Sequence, residues 1–446
     1  MYLEASSCRP CTVEGFSTLK SSAIEQPPGM NIFKGGSQAG SSIAKLAAGL
    51  PRSTTSEVVS AVIWEVEATF WGTDFEVFAI VIGESLKEIE KVMAFLNYEV
   101  EGLSKKDNEE LGRQLKLLNK PAIKTIKTEY GDIYDCVDFY QQPAFDHPLL
   151  KNHTYYPQRD KESSTSNSSF KMGLKDGGCP MGTVPIRRTT KEDLIRERRF
   201  NASYARGTFH FALEQTSNDP RNQISGAGTT ASMYNPKVLP NQWSASVVKV
   251  QNGRDQIQAG WRVDPILYGD THTRFYSLFK AGTTQCFNTR CPGFVIVNTQ
   301  IPLDKVFKTT RPGTLFEETF FIERDLKNGR WWLRYGPDFA QIGFWPPELF
   351  TGLKGFASQA AWGGETFSSV PTFPQMGSGR IPLVVSTNED AYCSKISILD
   401  SAGKTKDPGR LSRFEDAHAL YQVVDEPVTN EDFGHTVFYG GPGSVK

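Results

Sequence analysis

Glu365 stands in AWGGETF (361–367), a carboxylate preceded by two glycines and a tryptophan. Glycines let one backbone approach another closely, and a tryptophan can wall off water. A carboxylate in such a setting is a candidate general base. A single one is rarely enough, because a second group must hold the charge that develops opposite it. The usual partners are missing. There is no G-x-S-x-G elbow, no H-E-x-x-H pair and no Walker loop, and the six histidines are scattered singly. Gly226-Ala-Gly228-Thr-Thr-Ala231 fits a loose GxGxxA, but MYNP follows where a helix should open, so it reads as a glycine pair in a strand or turn. Cys8 and Cys11 have CxxC spacing without a second pair, too little for zinc or redox chemistry. No metal or cofactor is implied.

The bulk properties narrow the class. The 446 residues carry a formal net charge of −1, which gives no electrostatic case for nucleic acid or an anionic membrane. With 39 glycines, 26 prolines and 12% aromatic residues, the chain suits a turn-rich β protein. Its most apolar stretch, VFAIVIG (77–83), is too short to span a bilayer. N-x-S/T sequons at Asn152, Asn167 and Asn201 point to export, whereas MYLEASSC lacks the basic and apolar blocks of a signal peptide. The seven cysteines leave at least one unpaired. Cys286 and Cys291, in CFNTRC, form a local disulfide if the chain is exported.

Three regions differ in texture. Residues 1–100, with GGSQAGSS and PRSTTS, have linker-like composition and one amphipathic segment at 85–96; they are read as a poorly ordered leader or a gene-model artefact. Residues 101–200 read as a small α+β unit. Ser104 and Asp107 cap a helix before Pro121, two strands flank Tyr130-Gly131-Asp132, and a second capped helix starts near Thr190. Residues 201–446 hold short β-rich runs (SASVVKVQ, IQAGWRV, GFVIVNTQIPL, TLFEETFFIER, RWWLRYG, KISILD) between turn residues, the pattern of an antiparallel sandwich or barrel. In IQAGWRV, Ile257, Ala259, Trp261 and Val263 share one face and look like core. Gln258, Gly260 and Arg262 point the other way.

Taken in order, AGWRVDPILYGD (259–270), CFNTRCPGFV (286–295), GRWWLRYG with FWPPELF (329–336, 344–350), AWGGE (361–365), QMGSGR (375–380) and FYGGPG (438–443) resemble the plant neprosin-like proteins. The block ahead of them resembles that family's activation peptide through LLNKPAIKTI (117–126), GDIYDCVDFYQQPAFDHPLLKNH (131–153) and CPMGTVPIRR (179–188). The resemblance implies a mostly β fold, an antiparallel β-sandwich peptidase domain (201–446) preceded by a small α+β activation domain (101–200) that packs over its groove. It also implies a secreted, extracellular zymogen, activated by acid, that acts as a monomer on peptides or proteins and cleaves after proline. It pairs Cys136 with Cys179 and leaves Cys393 free. The family's catalytic pair is two glutamates; Glu365 matches the second, and Gln258 occupies the place of the first. Arginines at 196, 198, 199 and 206 put the expected cleavage between about Arg196 and Ala212. The family's C-terminal disulfide has no counterpart here, since Leu420 precedes Tyr421 and no cysteine follows GGPG. The resemblance leaves two functions open, an acid-active peptidase using a Gln/Glu pair and an inactive peptide-binding relative.

Overall fold

The computed structural model describes the backbone of residues 31–35, 60–63 and 77–82 and, from residue 105 onward, all but 158–172, 205–206, 383–388, 428–431 and 445–446. An N-terminal unit (Met1–Leu111) carries three short strands, β1 (Asn31–Gly35), β2 (Ser60–Ile63) and β3 (Val77–Ile82), with β3 antiparallel to both others. The remainder of the expected leader, with the amphipathic segment at 85–96, Ser104 and the Cys8/Cys11 pair, lies outside the described residues.

The next elements are α1 (Lys105–Leu118), β4 (Ala122–Lys127), β5 (Ile133–Asp138), β6 (Thr183–Arg187) and α2 (Lys191–Tyr204). Gly131, at φ 87°, makes the turn between β4 and β5, and the three strands form an antiparallel sheet in the order β4-β5-β6. Cys136 on β5 is bridged to Cys179 just ahead of β6. The start of α2 is a reciprocal capping box: the Asp193 amide donates to Thr190 Oγ1 at 3.1 Å and the Thr190 amide to Asp193 Oδ2 at 2.8 Å. The exposed connection expected after α2 is short. The helix runs to Tyr204, and Ala212 is buried inside a strand that begins at Thr208.

The remaining chain forms two antiparallel sheets. Its strands are β7 (Thr208–Gln215), β8 (Gly226–Ser232), β9 (Gln242–Asn252), β10 (Asp255–Val263), β11 (Thr273–Ala281), β12 (Thr284–Phe287) and β13 (Val295–Ile296), with a one-turn helix α3 (Pro265–Tyr268) after β10. There follow β14 (Glu317–Arg324), β15 (Trp331–Tyr335), β16 (Ala340–Trp345), β17 (Gln359–Ser368), β18 (Ala391–Leu399), β19 (Thr405–Lys406), β20 (Ser412–Glu415), β21 (Gln422–Glu426) and β22 (Thr436–Gly440). The order is β12-β11-β10-β9-β17-β7-β20 in one sheet and β13-β16-β15-β14-β8-β18-β22-β21 in the other, with β19 beside β18. The fold is mostly β, as the runs and turns imply. The glycine pair at 226–228 is indeed strand, whereas GFVIVNTQIPL contributes only the two residues of β13.

Ile257, Ala259, Trp261 and Val263 are fully buried between the sheets, together with Trp331, Trp345 and Trp362. Three of these indoles donate to backbone carbonyls: Trp261 to Ser232, Trp331 to Leu353 and Trp362 to Gly228. These three rings fill the core with their N–H groups satisfied, whereas the Trp345 indole N–H is buried without a hydrogen-bond partner. Cys393 is buried there as a free thiol, pushed up to about 11 by burial. Cys286 and Cys291 are bridged. In non-reducing mass mapping we expect those two in one cross-linked peptide and Cys393 alkylated only after unfolding; a Cys286–Cys393 link would contradict this arrangement.

The described residues of the α+β block meet the sandwich along one side. Phe139, Ala144, Leu150, Val184 and Ile186 belong to the same apolar cluster as Ile296 and Phe344. Gln142 brackets Ile296, accepting from its amide at 2.8 Å and donating to its carbonyl at 3.2 Å. The Tyr134 hydroxyl donates to Leu303 O, and Asp132 pairs with Arg274 at 2.8 Å.

Candidate active site

Residues that are paired across antiparallel strands point to the same face. β9 lies between β10 and β17, and its register carries the site. Gln258 on β10 stands opposite Lys249, and Glu365 on β17 stands opposite Ala245. Gly260 and Gly363 both stand opposite Val247, one on each side. This face carries its own apolar cluster, which includes Trp243, Ala245, Val247, Tyr276, Leu278 and Phe367.

The two glycines are needed for different neighbours and the same reason. Gly363 has φ 137°, and a Cβ there would sit 2.2 Å from the Ala212 carbonyl oxygen of β7. Gly260 has φ 154°, and its Cβ would meet the Ser246 carbonyl oxygen at 2.0 Å. Each glycine lets a neighbouring strand approach too closely for any side chain. Gly363→Ala is expected to cost about 1–3 kcal/mol through backbone strain alone, read as a lowered urea midpoint; an unchanged midpoint would overturn this role. Trp362 faces the core, so it seals the back of the strand and does not wall the site itself.

On this face the side chains converge. Gln258 Nε2 donates to Glu365 Oε1 at 3.1 Å and to Oε2 at 3.3 Å. Lys249 Nζ lies 3.2 Å from Oε1. The Tyr276 hydroxyl donates to Gln258 Oε1 at 3.3 Å. Burial, and then the Glu365 carboxylate, hold the Tyr276 hydroxyl well above its ordinary range, so it stays a donor. A carboxylate can only accept, so the Gln258 NH₂ must face Glu365, and Tyr276 fixes the amide that way round. Gln258 is 4% exposed and Glu365 6%. Burial this deep makes each partner of the carboxylate matter more than it would in water.

Lys249 and Tyr276 are absent from the sequence-based list of site residues. Tyr276 gave no signal, since nothing in FYSLF marks one aromatic above another. Lys249 did give one: it is the single charge in SASVVKVQ, on a strand that turned out to be central. Its ammonium positions Glu365 and balances its charge. Were Glu365 the base of a peptidase, Lys249→Met would be expected to lower peptide turnover by about 10²-fold, the usual consequence of letting a reacting group move by about 1 Å, while Lys249→Arg would keep most of it. Equal loss in both variants would show that the charge is not what counts.

Of the three sequons, Asn152 is exposed, Asn201 lies within α2 and Asn167 falls outside the described residues. Among the described residues no group of three or more His, Cys, Asp or Glu is placed to hold a metal, and no helix is long and apolar enough to cross a membrane.

Comparison with known proteins matches residues 240–442 to the Neprosin family model and residues 125–231 to the model of the Neprosin activation peptide. The second match reaches into β8, past the end of the α+β block. Among solved structures, the chain is similar to a Scytalido-glutamic peptidase with a peptide-based transition-state analog, at 8% identity and TM-score 0.28, covering 52% of this chain and 97% of that one. A second structure of that peptidase, with a transition-state analog inhibitor, matches at 9% identity and TM-score 0.30 over the same shares. SCP-B, a member of the Eqolisin family of peptidases in complex with the tripeptide Ala-Ile-His, matches at 7% identity and TM-score 0.29, again over 52% of this chain and 97% of that one.

Proposed function

The chain belongs to the neprosin-like family and carries that family's activation peptide, and from this premise we propose that it is the zymogen of a glutamic endopeptidase working through Glu365 and Gln258. The observation that carries the reading is the pair of contacts from the Gln258 amide to the Glu365 carboxylate, made on a sheet face where both are nearly buried.

In this reading Glu365 takes a proton from the attacking water, and the same proton later goes to the leaving amine. Gln258 cannot act as acid or base. Its NH₂ carries two hydrogens, so one holds Glu365 while the other meets the oxyanion of the scissile carbonyl. A pair of glutamates can fill both roles only when one is protonated, which ties such chemistry to acid. An amide is a donor at every pH. Cleavage after proline, export, acid-triggered removal of the block and action as a monomer belong to the same proposal and rest on family membership. So do the boundaries, with residues 101–200 as the activation domain and 201–446 as the peptidase.

The test is hydrolysis of a proline-containing peptide by the acid-treated chain, with Glu365→Gln as control. Cleavage that the control lacks supports the proposal. A second reading, a peptide-binding protein that has lost its chemistry, is favoured by the same amide at 258, where the family has a carboxylate. A silent wild type with an active Gln258→Glu variant would establish that reading instead.

A further inference from the structure

The register that places Glu365 also places a row of aromatic rings beside it. Phe211 on β7 stands directly opposite Glu365, Phe209 opposite Phe367, and on the edge strand β20 Phe414 stands opposite Leu213. All lie on the face that carries Gln258 and Glu365. Phe209 and Phe211 are partly exposed and stacked at 6.4 Å with 12° between their planes. Phe211 meets Phe414 at 5.4 Å, and Phe414 is 43% exposed. Phe209 rests in turn on Trp243 and Phe367. Single exposed apolar residues are ordinary. Three in contact, running from the strand beside the carboxylate to the open edge of the sheet, are a directed surface.

We propose that Phe209, Phe211 and Phe414 form a subsite for large apolar side chains of the peptide substrate, on the β7 side of the scissile bond. This rests on the reading of the face as a peptide groove. Strands lie about 4.8 Å apart, so Phe414, two strands from Glu365, is about 10 Å away across the sheet. An extended peptide rises about 3.3 Å per residue, which makes that span about three residues. A peptide crossing the strands would lay its first and third residues from the bond over Phe211 and Phe414, because alternate side chains share a face. The ring faces and edges offered there suit an aromatic or branched side chain and offer no partner to an anionic one.

The competing occupant is this chain itself, since Gly207, just ahead of β7, already packs so closely on Phe367 that a Cβ would meet its ring at 2.0 Å. The test uses the full chain with Glu365→Gln, so that bound peptide survives, and Phe414→p-benzoylphenylalanine as a photo-crosslinker. The probes are two eight-residue peptides that differ only in Phe or Ser at the third residue from the centre. We expect the Phe peptide to be captured at least about tenfold more than the Ser peptide, and Phe211→Ser to remove the preference. Equal capture, no capture, or a crosslink to this chain's own residues 158–206 would overturn the subsite. Capture needs no catalysis. Selective capture beside a hydrolytically silent wild type would sink the proposed chemistry and leave the subsite standing.

Discussion

Gln258→Ala is expected to lower kcat on a proline-containing peptide by about 10²–10³, the usual effect of deleting one oxyanion donor, with KM little changed. Glu365→Gln is expected to abolish turnover, since no second base lies within reach in the described site. Gln258→Glu is the informative third variant. It restores two carboxylates at hydrogen-bonding distance beside Lys249, and two such groups cannot both ionise freely. Its activity should therefore be confined to acid, whereas the wild type should lose far less on moving to neutral pH. A wild type and a Gln258→Glu variant with the same acid-limited profile would show that the amide does not serve as the donor.

The second large effect concerns the clasp between the α+β block and the sandwich. Asp132 accepts from Arg187 at 2.9 Å and from Arg274 at 2.8 Å; Arg274 also reaches Asp270 at 2.6 Å, and Arg187 reaches Asp193 at 3.3 Å. The Arg274 side chain is 1% exposed and that of Asp132 5%. Asp132→Asn leaves two buried guanidinium groups short of a charge partner and is expected to cost about 3–5 kcal/mol, the range for breaking a buried pair from one side. The measurement is the midpoint of urea unfolding, and a loss below about 1 kcal/mol would mean that water reaches the cluster.

Stability depends on pH in two opposite ways, one from the clasp and one from Glu318 beyond it. Burial pushes the Asp193 and Asp270 carboxyls up, but Arg187 and the Thr190 amide at the first, and Arg274 at the second, outweigh it and leave both below the usual range. Carboxyls lowered in the fold add stability above their unfolded range and lose it as pH falls through the folded values. Glu318 behaves the other way. It lines a cavity with Tyr130, Asp132 and Lys305, and burial raises its carboxyl to about 7. The folded form then binds the proton first, so its contribution grows as pH falls from about 7 towards the usual glutamate range. Mild acid should stabilise the fold through Glu318, and only stronger acid, below about pH 4, should loosen the clasp. Tm against pH should pass through a maximum that Glu318→Gln flattens on its neutral side and Asp193→Asn on its acid side.

Much of this was legible in the chain itself. Alternation in IQAGWRV assigned Trp261 to the core and Gln258 to the other face, because strand geometry permits only those two directions. Thr190 announced the start of α2, and the structure supplied Asp193 as its capping partner, since a capping box is a local exchange of hydrogen bonds. The Cys286–Cys291 bridge followed from its short spacing, while the Cys136–Cys179 bridge and the partnering of Glu365 with Gln258 came only from the family resemblance. What the sequence could not contain is register. Gln258 and Glu365 are 107 positions apart, and only the placing of β9 between their strands brings them to 3.1 Å and adds Lys249 as a third member. Alternation within β17 already puts Trp362 on the opposite face from Glu365, whereas only strand pairing aligned Phe211 with Glu365. Local rules fix which way a side chain points from its own strand; long-range pairing decides which other side chains it meets there.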